Sequence, residues 1–441
     1  MRTHAPLACF FALACAAASA NAAVVEISPG DDFRAAMQAL QPGDTLVMHG
    51  GEYAFSGYTS ISLAGSAAQP ILIRAATGEQ AWIHYVGSDQ NILNIADSSF
   101  LTIDGIEFSG GSRGIRLTNV SDFTLRNCHV HDTGANAVSA NDSGNDYARL
   151  TFEHNEVDHT GDTGEAFYLG CNDDACRVHD SLVANNHIHD LDGASVTQGD
   201  GIEIKAGSYA NVVRDNVIHD TLYPGITLYH ANGNGAPNII ERNLVWNSGD
   251  NGIQVTADAI VRNNIVLSAA AHGIGVHPSQ GGSPGNLVIA GNTIIKASGD
   301  AIHINGVTGS VLVANNALYA PAGNAVYADG DTGMVGLVAN AGQGALAGVD
   351  GGFDASGDIT TDFVAGSYSG APPQNLMPTG ILLVGTADAA TLSADDFDGI
   401  PRRSLDIGAY RHADDGQPGW TLSAGFKVLA EILFDGFDAA P

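Results

Sequence analysis

A lysine flanked by carboxylates is the first candidate for chemistry in this sequence. The segment QGDGIEIK contains Asp200, Glu203 and Lys205, and the chain holds only two other lysines, Lys296 and Lys427. A lysine can exchange protons with a substrate when its surroundings adjust its pKa. The segment therefore indicates acid–base chemistry, and the simpler alternative is a surface salt bridge of small energetic value.

Two neighbouring segments place further polar side chains at equivalent positions. Glu165 of GEAFYLG aligns with Asp200, and Tyr229 of GITLY aligns with Lys205. Like charges this close are unfavourable unless a proton or a cation shares them, and Ca²⁺ is a hard cation that binds several carboxylate oxygens. We therefore predict a calcium site, in which Tyr168 lies nearby and contacts the substrate. Its predicted ligands are Glu165, Asp200 and Glu203.

Histidines form a second candidate group, on what should be a neighbouring sheet. One predicted outward column contains His131, Asp158, His189, His219 and Trp246, and a second contains His129 and His187. Histidines on adjacent strands, such as His189 and His219, can bind a transition metal. We favour a ladder that lines a groove and contacts the substrate, and the alternative is plain surface coverage. The substrate contacts predicted outside the lysine segment are His189, His219, Trp246 and His277.

An internal repeat determines how these residues are positioned. The segments NCHV, NEVD, NHIH, NVIH, NLVW, NIVL, NTII and NALY share an aliphatic residue two positions after their Cys or Asn. That aliphatic column must point inward, whereas its neighbours are chemically mixed and must point outward. The column contains Val130, Val157, Ile188, Ile218, Val245, Val266, Ile294 and Leu318. The Cys or Asn column contains Cys128, Asn155, Asn186, Asn216, Asn243, Asn264, Asn292 and Asn316.

Repeated short strands with a buried asparagine at the bend are typical of a parallel β-helix, in which stacked amides satisfy one another's hydrogen bonds. A leucine-rich repeat would show a leucine-dominated consensus at steadier spacing. We predict an all-β, right-handed parallel β-helix, a pectate-lyase-like solenoid. A short helix over residues 32–40, with an Asp cap, should cover its open first coil.

The chain is predicted to divide into five stretches. A basic start, an apolar run and Ala20-Asn21-Ala22 predict a signal peptide over residues 1–22, so that the protein is secreted to the periplasm or the exterior. A lipoprotein acylated at Cys9 or Cys15 is the alternative. The cap and first coils should occupy 23–90, the β-helix repeats 91–341, irregular C-terminal coils 342–412 and a tail 413–441. The motif DIGAY within 396–412 resembles the closing motif of bacterial secreted β-helix proteins.

Charge and cysteines narrow the function classes further. With 17 Lys plus Arg against 48 Asp plus Glu, the formal charge of −31 argues against a nucleic-acid partner. No later stretch has the ~18 apolar residues that a membrane span needs, and we predict a monomer. Cys171 and Cys176 are predicted to form a disulfide across the loop NDDA, with zinc binding as the weaker alternative. Cys128 is predicted to lie in the core.

The segment from Asn186 to Asn243 resembles the β-helix polysaccharide lyases, the family of alginate lyases and chondroitinase B. The resemblance implies that Asp200 binds calcium and that Lys205 is the Brønsted base, with His230 one position after an arginine on the next coil. Tyr229 stands in place of that arginine, and Gln198 stands in place of a second acidic ligand. The predicted catalytic residues are Lys205, Tyr229 and His230.

The predicted function is cleavage of a uronate-containing polysaccharide by β-elimination. In this reaction Lys205 removes the C5 proton of the uronate and the C4 substituent leaves. Because an ordinary lysine is protonated at neutral pH, the site must lower its pKa, and calcium must mask the carboxylates. The alternatives are a glycoside hydrolase, a C5 epimerase, which would share the first step, and a non-catalytic glycan-binding adhesin.

Overall fold

Short parallel strands stack coil upon coil along the described chain. The computed structural model describes residues 22–330 and 332–412; most of the predicted signal peptide and the predicted tail lie outside the described residues. Each coil contributes strands to three sheets, which we call sheets I, II and III in the order in which a coil visits them. Equivalent residues of adjacent coils pair in parallel register, so the predicted parallel β-helix is confirmed.

The strand bounds follow the repeat. Sheet I contains Val24–Ile27, Thr45–Met48, Ile71–Ala75, Asp146–Glu153, Arg177–His179, Leu182–Ala184, Val212–Arg214, Asn238–Glu241, Ala257–Arg262, Gly285–Ala290, Val311–Ala314 and Val335–Val338. Sheet II contains Gly51–Phe55, Ala81–Tyr85, Ile106–Gly110, His129–His131, Glu156–Asp158, His187–His189, Val217–Thr221, Leu244–Ser248, Ile265–Val266, Thr293–Ile295 and Phe353–Asp354. Sheet III contains Ser60–Ile61, Val138–Ala140, Phe167–Leu169, Ile202–Ile204, Ile226–Leu228, Ile253–Val255, Ile274–Val276 and Ile302–Ile304. The longer strands Leu93–Asp104 and Ile115–Arg126 run from sheet III into sheet I, and Ala317–Ala328 and Asn340–Ala347 run from sheet II into sheet III.

The predicted asparagine stack lies at the bend between sheets I and II. Asn155 donates from Nδ2 to Oδ1 of Asn186 at 3.0 Å, and its backbone N–H donates to the same oxygen at 3.0 Å. The pattern continues upward coil by coil and ends at Asn340, one coil beyond the predicted column. Cys128 takes the first place, because its backbone N–H donates to Asn155. The stack thus satisfies buried amides that no water reaches.

Removing one rung of this stack should destabilise the protein substantially. In Asn216→Ala, Nδ2 no longer donates to Val183 or Asn243, and Asn186 loses its acceptor. Because these buried groups are left unpaired, we expect the free energy of unfolding to fall by about 1–3 kcal/mol for each orphaned group. Unfolding in urea, monitored by circular dichroism, measures this loss in the free energy of unfolding. The control is Asn172→Ala, at an exposed position, and an equal loss there would contradict the role of the stack.

A helix and the C-terminal coils cover two surfaces of the solenoid. Helix Phe33–Gln38 buries Phe33 and Met37 at the first coil, and the Asp32 side chain accepts from the Ala35 backbone N–H at 3.2 Å, which confirms the predicted Asp-capped helix. At the other end, helix Ile359–Asp362 and the antiparallel strands Phe363–Ala365 and Asn375–Pro378 belong to a segment that packs on the outer face of sheet II. We call this segment, residues 359–410, the covering segment.

The motif DIGAY anchors this covering segment. Ile407, Ala409 and Tyr410 are buried, and the backbone N–H of Ala409 donates to Oγ1 of Thr293 on sheet II at 2.9 Å. The partly buried Arg402 guanidinium donates to the carbonyls of residues 408–410. Between 22 and 412, leaving out residue 331, no helix is long and apolar enough to cross a membrane.

Candidate functional site

Three adjacent coils of sheet III bring the lysine segment and its neighbours together. Tyr168 pairs with Glu203 and Glu203 with Thr227, each between inward apolar residues, so all three side chains point outward as predicted. Lys205 follows directly after its strand and lies against Gly170 of the coil below. A Cβ at Gly170 would lie 3.0 Å from Cβ of Lys205, so a larger residue would crowd the lysine.

Lys205 is held in a cage of two aromatic rings and a carboxylate. Its Nζ lies 4.5 Å from the ring centroid of Tyr168 and 4.9 Å from that of Tyr229, and it donates to Oε1 of Glu203. The hydroxyl of Tyr229 donates to the same oxygen at 3.1 Å. The lysine is only 5% exposed, so its charge is largely removed from water and compensated by Glu203 and by the faces of the rings. We call Glu165, Tyr168, Asp200, Glu203, Lys205 and Tyr229 the lysine patch.

The three carboxylates of the patch are buried, although they lie on the outer side of sheet III. Oxygens of Glu165, Asp200 and Glu203 lie within 4.8 Å of one another. Thr227 donates to Asp200 at 2.6 Å, and Asn136 donates to Glu165. Burial raises the pKa of Glu165, and burial together with the charge of Glu203 raises that of Asp200 well above 3.8.

The donor set fits a divalent cation. Oε1 of Glu165 and Oε2 of Glu203 are buried and have no hydrogen-bond partner among the described residues. If ionised, the three carboxylates and the Lys205 ammonium leave two negative charges, which Ca²⁺ would balance. Protonation of Glu165 and Asp200 is the alternative balance, in keeping with their raised pKa values. The calcium site therefore stays a prediction, with the predicted ligands gathered in one place.

The pKa of the caged lysine moves opposite to what base catalysis needs. Burial lowers the pKa of Lys205, but the neighbouring Glu203 charge and hydrogen bond outweigh it and raise it above 10.5. Burial and the charges of Glu203 and Asp200 raise the pKa of Tyr229, and burial raises that of Tyr168. Both phenols and the lysine therefore hold their protons at neutral pH as long as no cation binds the carboxylates.

The remaining predicted residues of sheet III lie outside the cage, with His277 two coils beyond Tyr229. His230 follows Tyr229, and its Nε2 lies 3.1 Å from the carbonyl oxygen of Gln280, so the ring contacts a loop of a later coil. His277 is partly exposed and its Nδ1 lies 3.2 Å from the carbonyl oxygen of Pro278. Neither ring is hydrogen-bonded to the cage.

His189, His219 and Trp246 lie on sheet II, apart from the patch. His219 stacks on Trp246 with ring centroids 4.1 Å apart, and His189 stacks on His219 at 5.3 Å. Trp246 is only 7% exposed and packs among Ile359, Phe397 and other apolar residues of the covering segment. It therefore has no free ring face for a sugar, and its outward column position did not reveal this burial.

The pKa of His189 is raised to about 9, because hydrogen bonds to Glu156 and Asp190 outweigh the opposing effect of burial.

Sequence reasoning missed several polar residues of the same face of sheet III. Asn136 and Asn251 stand in the column of Glu165 and Asp200, two residues before an inward strand residue, and that column position could have revealed them. His272, Asp300 and His303 form a further group four coils from Glu203, with Nδ1 of His303 3.1 Å from Oδ2 of Asp300. Polar side chains thus extend along the face well beyond the patch.

The predicted disulfide is confirmed. Cys171 and Cys176 are joined in the loop that follows strand Phe167–Leu169, with their Cα atoms 4.9 Å apart. Cys128 is a buried free cysteine, as predicted. The loop carrying the disulfide begins directly after Gly170, so the bond helps to fix the backbone on which Lys205 packs.

Comparison with known proteins supports the fold. A family model described as a right-handed β-helix region matches residues 40–180, and one described as a periplasmic copper-binding protein, NosD, matches residues 179–335. No curated protein matches the sequence significantly.

Among solved structures, pectate lyase Pel9A has a TM-score of 0.51 at 13% identity, with 89% of this chain and 97% of that chain covered. XylC, solved with xylose, has a TM-score of 0.53 at 12% identity, covering 88% and 98%. A mutant of the PL6 family alginate lyase AlyGC has a TM-score of 0.50 at 16% identity, covering 87% of this chain and 57% of that one. These likenesses show that the chain has the right-handed parallel β-helix fold of pectate lyase.

Proposed function

We propose that this protein is an exported polysaccharide lyase that cleaves a uronate-containing polysaccharide by β-elimination at the lysine patch. The observation that carries the proposal is the cage around Lys205, because it places an amine, a phenol and three carboxylates within one small region of an outward face. The disulfide supports export, since disulfides persist in oxidising compartments. The structural neighbours support the fold and leave the reaction to be argued from these residues.

The side chains of the patch divide the reaction between them. When bound at the three carboxylates, calcium would neutralise the uronate carboxylate and so acidify the proton on C5. Lys205 Nζ would take that proton, provided that Glu203 no longer raises its pKa. Tyr229 holds its proton at neutral pH because its pKa is raised, so it would protonate the leaving oxygen on C4. Tyr229 thereby supplies an acid at the position where the resembling lyases have arginine.

The net charge of the protein is a second reason why an anionic substrate would need a bound cation. At a formal charge of −31, the surface repels an anionic polymer. A divalent cation in the patch would locally reverse this repulsion at the point where the uronate carboxylate must lie. We therefore expect substrate binding, as well as turnover, to depend on calcium.

Glycoside hydrolysis is the second candidate, and two observations favour it. The pKa of Asp200 is raised well above 3.8 by burial and by Glu203, as expected of a general acid that must be protonated at neutral pH. Carboxylate oxygens within 4.8 Å are closest to the roughly 5–5.5 Å spacing of retaining glycosidases. A third candidate is a glycan-binding protein without activity.

A paired assay distinguishes these candidates. The purified protein is incubated with alginate, pectate and glycosaminoglycans in the presence of calcium, and both ultraviolet absorbance and reducing ends are followed. A lyase produces both signals because each elimination leaves an unsaturated end, whereas a hydrolase produces reducing ends alone. We expect both signals on at least one polymer, and both should disappear with a chelator. Retention on a glycan column with neither signal would identify a binding protein and refute the lyase.

A further inference from the structure

A second group of ligand-type side chains lies on sheet II, outside the lysine patch. Strands Glu156–Asp158 and His187–His189 pair in register, so that Glu156 adjoins His187 and Asp158 adjoins His189. The rings of His187 and His189 lie with centroids 4.2 Å apart, and all three side chains at the centre of the group are partly exposed. A dissolved ion can therefore reach the group.

Hydrogen bonds to a neighbouring coil determine which nitrogen of His187 carries a proton. Nδ1 of His219 lies 2.6 Å from Oδ2 of Asp220, so this nitrogen donates and Nε2 of His219 is an acceptor. Nε2 of His187 lies 3.0 Å from that acceptor and must therefore donate. In the neutral ring this leaves a lone pair on Nδ1 of His187, which lies 3.8 Å from Oε1 of Glu156.

A hydrogen bond to the next residue, Asp190, likewise determines which nitrogen of His189 carries a proton. Its Nδ1 lies 2.8 Å from Oδ2 of Asp190 and donates to it. In the neutral ring Nε2 then carries a lone pair, and it lies 3.1 Å from the same Oε1 of Glu156. The three candidate ligand atoms lie within 4.8 Å of one another, and a bound cation would replace the proton that otherwise joins Nε2 of His189 to Oε1 of Glu156.

We propose that Glu156, His187 and His189 form a site for a divalent transition-metal ion such as Zn²⁺. The ligand atoms are Oε1 of Glu156, Nδ1 of His187 and Nε2 of His189. Two imidazoles and one carboxylate are a ligand set that zinc uses when it keeps a position open for water or substrate. Asp190 and the pair Asp220–His219 hold the rings through their other nitrogens, as carboxylates commonly do around metal-binding histidines. The site lies on a different sheet from Lys205 and does not depend on the proposed lyase activity.

The histidines of the coil below are arranged less favourably for a metal. Nε2 of His131 lies 3.0 Å from Glu107 and its Nδ1 lies 2.8 Å from Asp132, so both nitrogens are directed at different carboxylates. Nε2 of His129 lies 2.6 Å from Asp158. We therefore expect zinc to bind more tightly at Glu156, His187 and His189 than at the histidines of the coil below.

Zinc titration of the full metal-stripped chain tests the site. The protein is treated with a chelator, dialysed and titrated with Zn²⁺ against a chromophoric competitor, and Co²⁺ is added separately to record imidazole coordination in its visible spectrum. We expect a tightly bound ion whose affinity is at least ~100-fold lower in His189→Ala and in Glu156→Gln. Asp220→Asn keeps all three ligands but loses the orientation of His219 and His187, so affinity should fall by about 10–100-fold.

The matched control is His179→Ala. His179 has the same arrangement, with Nδ1 2.7 Å from Oδ2 of the following Asp180, but it lies on sheet I. Its loss should leave the zinc affinity unchanged, and circular dichroism without metal shows which variants fold. The proposal is overturned if no ion is retained, if His189→Ala and Glu156→Gln bind zinc as tightly as the parent, or if binding is lost in His131→Ala instead.

Discussion

Replacing Lys205 with methionine should lower kcat on the polymer that the protein cleaves by about 10²–10⁴-fold, the contribution typical of a positioned acid or base. Methionine has a similar length and no charge, so it can occupy the space between Tyr168 and Tyr229. The initial rate of ultraviolet absorbance at saturating substrate measures the effect. Because the amine acts on the reacting carbon, we expect the loss in kcat to exceed any change in KM.

Two further variants make this result specific to the amine. Lys296→Met removes the other described lysine, which is also buried but donates to the Ala269 carbonyl away from the patch, and it should retain activity. Lys205→Arg keeps the positive charge in a group that stays protonated, so it should not restore the rate. Full activity in Lys205→Met, or in Lys205→Arg, would show that Lys205 is no base.

The fold could be predicted because a local sequence repeat determines it. An inward column needs only a recurring aliphatic residue, and every member from Val130 to Leu318 is fully buried. The asparagine stack likewise follows from spacing, because each amide bonds to its counterpart one coil away. Register between coils then places the outward residues, which is why the lysine patch assembled from segments up to 64 positions apart, Glu165 to Tyr229.

Burial of outward residues could not be predicted from the same repeat. Trp246 is covered by residues more than 100 positions later, and no periodic signal links it to Phe397. The protonation state of Lys205 has a similar origin. Its pKa depends on the distance from Nζ to one oxygen of Glu203 and on how little water reaches the pair, and neither quantity is encoded in the column. The outward position of a residue therefore predicted which residues it meets, but not how much of its side chain is exposed to solvent.

Asp200→Asn should change the stability of the protein in opposite directions with and without calcium. The folded-state pKa of Asp200 lies well above 3.8, so the folded chain binds a proton more tightly than the unfolded chain does. This stabilisation is present below pH 3.8 and is lost as pH rises through the folded-state pKa. At neutral pH without calcium, asparagine removes the buried charge, and its oxygen can still accept from Thr227. We expect the free energy of unfolding to rise by about 1–3 kcal/mol, the cost of an uncompensated buried group.

Calcium should reverse the order of stability, so that the parent protein becomes more stable than Asp200→Asn. An ion bound only by the folded state stabilises it by mass action, by about 2.7 kcal/mol at a hundred times its Kd, and a variant lacking one ligand gains less. Thermal unfolding in chelator and in excess calcium, at neutral pH and near pH 4, measures both effects.

The control is Asp300→Asn, in the column of Asp200. Hydrogen bonds to Asn324 and His303 outweigh burial and lower the pKa of Asp300, so its replacement should destabilise under both conditions without altering the calcium response. A parent protein indifferent to calcium would remove the metal from the proposed mechanism. Without a calcium response, the buried carboxylates would have to be balanced by protons, in keeping with the raised pKa of Asp200, and this is the state that glycoside hydrolysis requires.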